Sequence, residues 1–165
     1  IFQYDGIVRE RILDYKFNEK SYLYKTFVNF LLKRQKVFEK IKEYDIIVPV
    51  PISRKRKRER GYNQSLLVAR EISRQLRKYA NKDLQLVTTS LYKIKNTIEQ
   101  SKLNKEDREK NAQGVYELKN RQILKNKNVL LFDDIYTTGN TANSCCGEIK
   151  KAEPNNIGVL VLAKD

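Results

Sequence analysis

VLLFDDIYTTGNT, residues Val129 to Thr141, decides the fold. Four apolar residues, Val129 to Phe132, carry a buried strand to its C-terminal end. Asp133 and Asp134 follow, then Ile135, Tyr136 and the turn Thr137-Thr138-Gly139-Asn140-Thr141, which opens a helix. In an open parallel sheet, ligands bind outside the carboxyl ends of the strands. A helix N-terminus offers unpaired N–H groups and partial positive charge, which suits a phosphate. Gly139 lets the backbone approach closely, and the threonine hydroxyls add donors. The two carboxylates would repel a phosphate, but they suit the adjacent hydroxyls of a ribose. The order of parts therefore matches one ligand, with sugar hydroxyls at Asp133 and Asp134 and a 5′-phosphate at Thr137 to Thr141. An Asp-rich turn with a threonine cap would explain TTG alone, not the whole order. There is no GKS or GKT, as a Walker A loop needs, and no GxGxxG.

Working outward, Asp45 to Val50 (DIIVPV) is a second apolar run and reads as a buried strand ended by Pro49 and Pro51. A basic loop, Ser53 to Gly61, comes next. A helix is expected from about Asn63 to Tyr79, with Leu67, Ala69, Ile72 and Leu76 on its buried stripe. Ahead of these, Ile7, Val8, Ile12, Leu13 and Phe17 fit an amphipathic helix over Asp5 to Phe17. One long helical run is expected over Tyr22 to Glu43, with Leu23, Phe27, Phe30, Leu31, Phe38 and Ile41 on one side. Leu84 to Ile94 reads as a strand with an irregular continuation, and Lys93 to Leu103 as a loop. Lys105 to Asn111 reads as a short helix, and Gly114 to Leu118 as a short strand. Strand Asn128 to Asp133, helix Thr141 to Ala152 and strand Ile157 to Ala163 close the chain. Strands alternating with helices predict an α/β fold, a central mostly parallel sheet flanked by helices. We expect a single domain over 1–165, with a helical region at 1–44 and the core at 45–165.

Composition narrows the chemistry. The chain has 165 residues, 34 basic and 20 acidic, and a net charge of +14. Such a surface attracts nucleic acid or densely charged phosphorylated substrates, and a merely lysine-rich solvated surface would look the same. With no histidine, Ser-His and Cys-His pairs and imidazole metal sites are excluded. The only cysteines, Cys145 and Cys146, are adjacent; they make no zinc site alone and read as small residues on a helix. No disulfide framework is visible, so a reducing cytoplasm is the expected location. No window reaches the length of a membrane span. The chain starts at Ile1 and has no methionine, which reads as a fragment or processed chain.

The phosphate loop resembles the signature of the type I phosphoribosyltransferases. Three further stretches extend the resemblance to the ComF family (competence protein F and GntX-like proteins). They are VPVPISRKRKRERGYNQS (Val48 to Ser65), Thr97-Ile98-Glu99-Gln100 with Leu103 and Arg108 to Asn111, and Gly114-Val115-Tyr116. The resemblance runs from about Asp5 to Ala163. It implies a Rossmann-like phosphoribosyltransferase fold with a small N-terminal helical hood. Its ligand would be phosphoribosyl pyrophosphate, or another ribose 5-phosphate compound, with Mg²⁺ held mainly through the substrate and no certain direct protein ligand. By the same resemblance, Pro51, Ile52, Ser53 and Arg54 form the pyrophosphate loop, and Arg60, Asn63, Gln64 and Gln100 line the site. Gln100 would lie in a mobile catalytic loop. Asp133 and Asp134 are the catalytic candidates, Asp134 as a carboxylate near C1. The four-cysteine zinc module usual at the start of the family is absent from this chain.

Ser53 to Arg60 holds six basic residues and one acid. Lys55, Arg56, Lys57 and Arg58 read as a solvated basic loop or as contacts to a nucleic-acid backbone, with Tyr62 placed to stack on a base or to pack. The family's link to DNA uptake keeps a second function open, a non-enzymatic single-stranded DNA binder on the same fold. Its partners would be DNA or the helicase machinery of competence. An enzyme of this kind would be a pentosyltransferase, with its acceptor unspecified.

Overall fold

The computed structural model describes residues 2–18, 20–95 and 114–165. The expected helix Lys105 to Asn111, Gln100 and most of the expected loop Lys93 to Leu103 lie outside the described residues. Strands β1 (Phe2–Gln3), β2 (Ile46–Pro49), β3 (Gln85–Leu86), β6 (Asn128–Tyr136) and β7 (Asn156–Lys164) form one sheet, in the order β1-β7-β6-β2-β3. All four pairings are parallel. Strands β4 (Leu91–Lys93) and β5 (Tyr116–Leu118) form a separate antiparallel ribbon. The helices are α1 (Gly6–Phe17), α2 (Leu23–Leu32), α3 (Gln35–Lys42), α4 (Arg54–Arg60), α5 (Gln64–Ala80) and α6 (Asn140–Lys150). The chain thus has the expected α/β architecture.

Strand side chains alternate between faces, so a fully buried strand serves two cores. Ile47, Leu130, Phe132, Leu160 and Leu162 pack with α1, α2, α3 and α5. Ile46, Val48, Val129 and Leu131 pack on the other face, against α6 and the β4–β5 ribbon. Asp45 and Ile47 accept hydrogen bonds from Gln85 and Val87 of the β3 side, at 2.9 and 3.0 Å. Pro49 has the same parity and no N–H to give, so the ladder to β3 stops early. Val50, of opposite parity, donates to the Phe132 carbonyl at 2.9 Å.

Three expectations need correction. The run Tyr22 to Glu43 is two helices, because the positions that would extend the Leu31 stripe are the polar Arg34 and Gln35, and Arg34 is extended. The basic segment Ser53 to Gly61 is not a loop but contains helix α4. Ser53 Oγ accepts from the Arg56 N–H at 3.3 Å, and Gly61 closes the helix at φ +76°. Lysine and arginine are good helix formers, but an unbroken run of them has no apolar period to reveal it. Strand β6 does not end at Asp133. It runs to Tyr136, because β7 keeps pairing with it through Tyr136 and Lys164, whereas β2 ends opposite Phe132. Edge strand β1 had no counterpart in the sequence reading. Among the described residues, no helix is long and apolar enough to cross a membrane. Glu153 sits at φ +53°, a conformation glycine adopts freely.

Candidate functional site

Because β6 outruns β2, its last residues flank an opening at the carboxyl end of the sheet. A cavity of about 290 Å³ lies there, lined from several elements. Asp133, Asp134, Thr137 and Thr141 come from the β6–α6 segment, and Pro51 and Ile52 from the turn after β2. Arg56 and Arg60 of α4, Gln64 and Ser65 of α5, Lys93 of β4, Tyr116 of β5 and Lys16 of α1 complete it.

Alternation along β6 separates the two acids. Asp134 follows the parity of Leu130 and Phe132, so it points to the side of the N-terminal helices. There Lys16 Nζ pairs with its Oδ2 at 2.9 Å, with both side chains mostly buried. Asp133 follows the parity of Val129 and Leu131. Its Oδ1 accepts from the Asp134 N–H at 2.9 Å and from Ser65 Oγ at 3.3 Å. Burial, then the adjacent Asp134 carboxylate, push the Asp133 carboxyl up to about 7. Burial, then Arg56, hold the Lys93 ammonium below its ordinary value. Burial and Arg56 likewise lower Arg60. The cavity is therefore crowded with cations that repel one another, beside an Asp133 carboxyl that burial keeps from ionising fully.

The phosphate-type turn is built as its residues require. Gly139 is the N-cap of α6 at φ +78°, and an added Cβ would run into the Tyr136 hydroxyl. Thr137, Thr138 and Thr141 are exposed and Asn140 is half-buried. Thr137 and Thr141 face the cavity, whereas Thr138, Gly139 and Asn140 form the turn beside it. Across the cavity, Ser53 and Arg54 line an adjoining groove rather than the cavity itself.

Motif residues in α4 and α5 play distinct parts. Arg60 stacks on the Phe17 ring, 4.8 Å from its centroid, and donates to Gln64 Oε1 at 3.3 Å. Gln64 is buried, and its Nε2 has no hydrogen-bond partner. Asn63 does not line the cavity: it accepts from the Leu66 N–H at 3.3 Å as the cap of α5 and donates to the Val50 carbonyl at 3.1 Å. It thereby ties the start of α5 to the end of β2. Tyr62 packs on Tyr15, with centroids 5.7 Å apart, and its hydroxyl donates to the Tyr15 carbonyl. In the exposed run after Ser53, Arg54, Lys55 and Arg58 face a groove of about 490 Å³ toward β4, and Arg56 and Arg58 a cavity of about 680 Å³ toward α1.

Lys16 and Lys93 were missed as site residues. A signal for Lys16 was present, since it follows Ile12 by four and adjoins Tyr15, the two residues α1 buries completely. The expected stripe, anchored on Ile7 and Phe17, was rotated, and both of those residues are largely exposed.

Comparison with known proteins agrees with this fold. The sequence profile of the phosphoribosyl transferase domain matches residues 62–165. Competence protein F of Haemophilus influenzae is 29% identical over 157 residues, covering 91% of this chain and 65% of that protein. Competence protein ComFC of Bacillus subtilis is 28% identical over 142 residues, covering 86% of this chain and 52% of that protein. The chain thus spans between half and two thirds of the length of these curated relatives. Adenine phosphoribosyltransferase of Saccharomyces cerevisiae superposes with a TM-score of 0.53 at 18% identity, over 90% of this chain and 72% of that one, a likeness of fold. The resemblance to the ComF family, read from RGYNQ and DDIYTTGNT, is borne out.

Proposed function

Because the chain belongs to the phosphoribosyl transferase domain family, we propose that it binds phosphoribosyl pyrophosphate with Mg²⁺ and transfers the phosphoribosyl group to an acceptor. One observation carries this reading. A single cavity gathers the acid pair, the threonine turn and the turn after β2, the three parts that ribose, 5′-phosphate and pyrophosphate each need. Thr137 and Thr141 with the α6 N-terminus hold the 5′-phosphate. Asp133 and Asp134 accept hydrogen bonds from the ribose hydroxyls. Pro51 to Arg54, with Lys93 and Arg56, receive the pyrophosphate. Departure of pyrophosphate breaks the C1–O bond and leaves its electron pair on oxygen, where these cations stabilise it. Fixing both ends of the ligand aligns C1 with the acceptor. The donors present are carboxylate and hydroxyl oxygens, with no histidine and no grouped His, Cys, Asp or Glu among the described residues that could hold a metal. That set fits a hard cation held largely through substrate oxygens. When bound, Mg²⁺ supplies neutralisation of the pyrophosphate charge.

Calorimetric titration with phosphoribosyl pyrophosphate and Mg²⁺ tests the reading. Saturable binding in the micromolar to sub-millimolar range is expected, and no heat at millimolar ligand would sink it.

A second reading has an observation of its own. The groove toward β4 is lined by Arg54, Lys55, Arg58, Lys93, Lys95 and Lys119 with Tyr92 and Ile94, and by no carboxylate among the described residues. Cations alongside an exposed tyrosine suit the backbone and bases of single-stranded DNA. Neutralising Arg54, Lys55 and Arg58 together should then reduce the slope of log affinity against log salt by about two. An unchanged slope for an oligo-dT ligand would remove this reading.

A further inference from the structure

We propose that the cavity beneath the N-terminal helices takes a planar acceptor bearing a carboxylate; this rests on the adjoining cavity being the phosphoribosyl pyrophosphate site. The cavity is about 680 Å³, within the size of small-molecule pockets. Lys16, Phe17, Arg56, Arg58, Arg60 and Tyr62 line it, and the first, third and fifth of these also line the ribose cavity. A ligand here therefore reaches the acid pair directly.

Three features define the occupant. The first is charge. Glu59 is the acidic residue of the lining, and it is exposed and 3.9 Å from Lys55. Lys16 is already matched by Asp134. Arg56, Arg58 and Arg60 form no ion pair among the described residues. Arg56 and Arg60 stand four residues apart on α4, where like charges repel. Pyrophosphate on Pro51 to Arg54, Lys93 and Arg56 leaves Arg60, which lines the hood and ribose cavities but not the outer groove, for a second anion.

The second feature is orientation. Arg60 sits over the Phe17 ring and is tethered by Gln64. A guanidinium fixed in this way can present a fork that matches a carboxylate. The third is shape. Phe17 is 61% exposed beside Tyr62, which gives aromatic surface for a flat ring. Gln64 adds an independent sign of a ligand at this junction. It is 1% exposed and lines the ribose cavity, and its Nε2 lacks an acceptor. A neutral heterocycle would leave the arginines uncompensated; an anionic one matches them.

The test uses pairs that differ in the carboxylate, orotate with uracil and nicotinate with nicotinamide. Each is titrated calorimetrically into the full chain, and phosphoribosyl pyrophosphate with Mg²⁺ is titrated separately into the same preparation. At least one carboxylate should bind about tenfold more tightly than its neutral partner. Arg60→Gln should erase that preference and Phe17→Ala should weaken both members, with circular dichroism confirming the fold. No preference in a chain that binds phosphoribosyl pyrophosphate overturns this proposal and spares the transferase reading. Failure of phosphoribosyl pyrophosphate to bind overturns both. A preference that survives Arg60→Gln, or that oligo-dT abolishes by competition, assigns it to general surface charge and also overturns the proposal.

Discussion

Gly139→Val should lower the affinity for ribose 5-phosphate at least about a hundredfold, because the turn cannot keep its shape with a side chain there. Gly139 sits at φ +78°, in the left-handed region that branched residues avoid, and a Cβ would meet the Tyr136 hydroxyl. Tyr136 has little room to retreat: its strand is paired with Lys164, and its ring packs on the second core. The backbone must therefore move, and with it the N–H groups that the proposed function assigns to the phosphate. A stability loss of about 1–3 kcal/mol should accompany the change. Gly147→Ala is the matched control. It lies inside α6 with nothing within 4 Å of an added Cβ, so it should stabilise by about 0.5–1 kcal/mol and leave the turn as it is. Titration with ribose 5-phosphate and a thermal melt read both effects, and a Gly139→Val protein within threefold of wild type would refute the assignment of the turn.

Asp133→Asn should separate binding from stability. The substitution keeps an oxygen for the Asp134 N–H and Ser65 but removes the charge that the proposed function assigns to the ribose hydroxyls. A loss of at least about a hundredfold in affinity for phosphoribosyl pyrophosphate is expected. Stability should move the other way. With the folded carboxyl up to about 7 against an ordinary 3.8, the native state holds more protons than the unfolded state between those values. Stability therefore falls as pH rises from about 4 to about 7, and the full penalty persists above that range. At pH 8 the variant should melt at a higher temperature than wild type, and near pH 4 the difference should vanish. Asp134→Ala should differ, since it strands Lys16, whose side chain is 16% exposed, and so destabilises by about 2 kcal/mol. Melting curves for both variants at pH 4 and pH 8 decide the matter. An Asp133→Asn protein less stable than wild type at pH 8 would show that the carboxylate is structural.

The parts of the fold that were legible in sequence are those written in apolar residues. DIIVPV and VLLF announce β2 and β6 because a parallel strand buried on both faces must be apolar throughout. Leu76 and Ile72 mark α5 because one side of it is core. What could not be read was written in charge. Helix α4 is capped by Ser53 and Gly61, but its seven residues have no buried side, so no period marks them. The extension of β6 through Asp133 and Asp134 depends on β7, which no local pattern in β6 records. The acid pair and the threonine turn fall together because they are contiguous, at the end of β6 and the start of α6. Lys16 and Lys93 come from remote segments, and only folding brings them in.

That remoteness has a thermodynamic consequence. The cavity draws on α1, the turn after β2, α4, α5, the β4–β5 ribbon and the β6–α6 segment, so no fragment or partly folded chain contains it. A ligand that binds it recognises the native state alone and shifts the folding equilibrium by mass action, by about 2.7 kcal/mol at a hundred times its dissociation constant. Thermal shift and resistance to proteolysis then become direct measures of occupancy, and any compound that fits will register as a stabiliser of the whole chain before its chemistry is known.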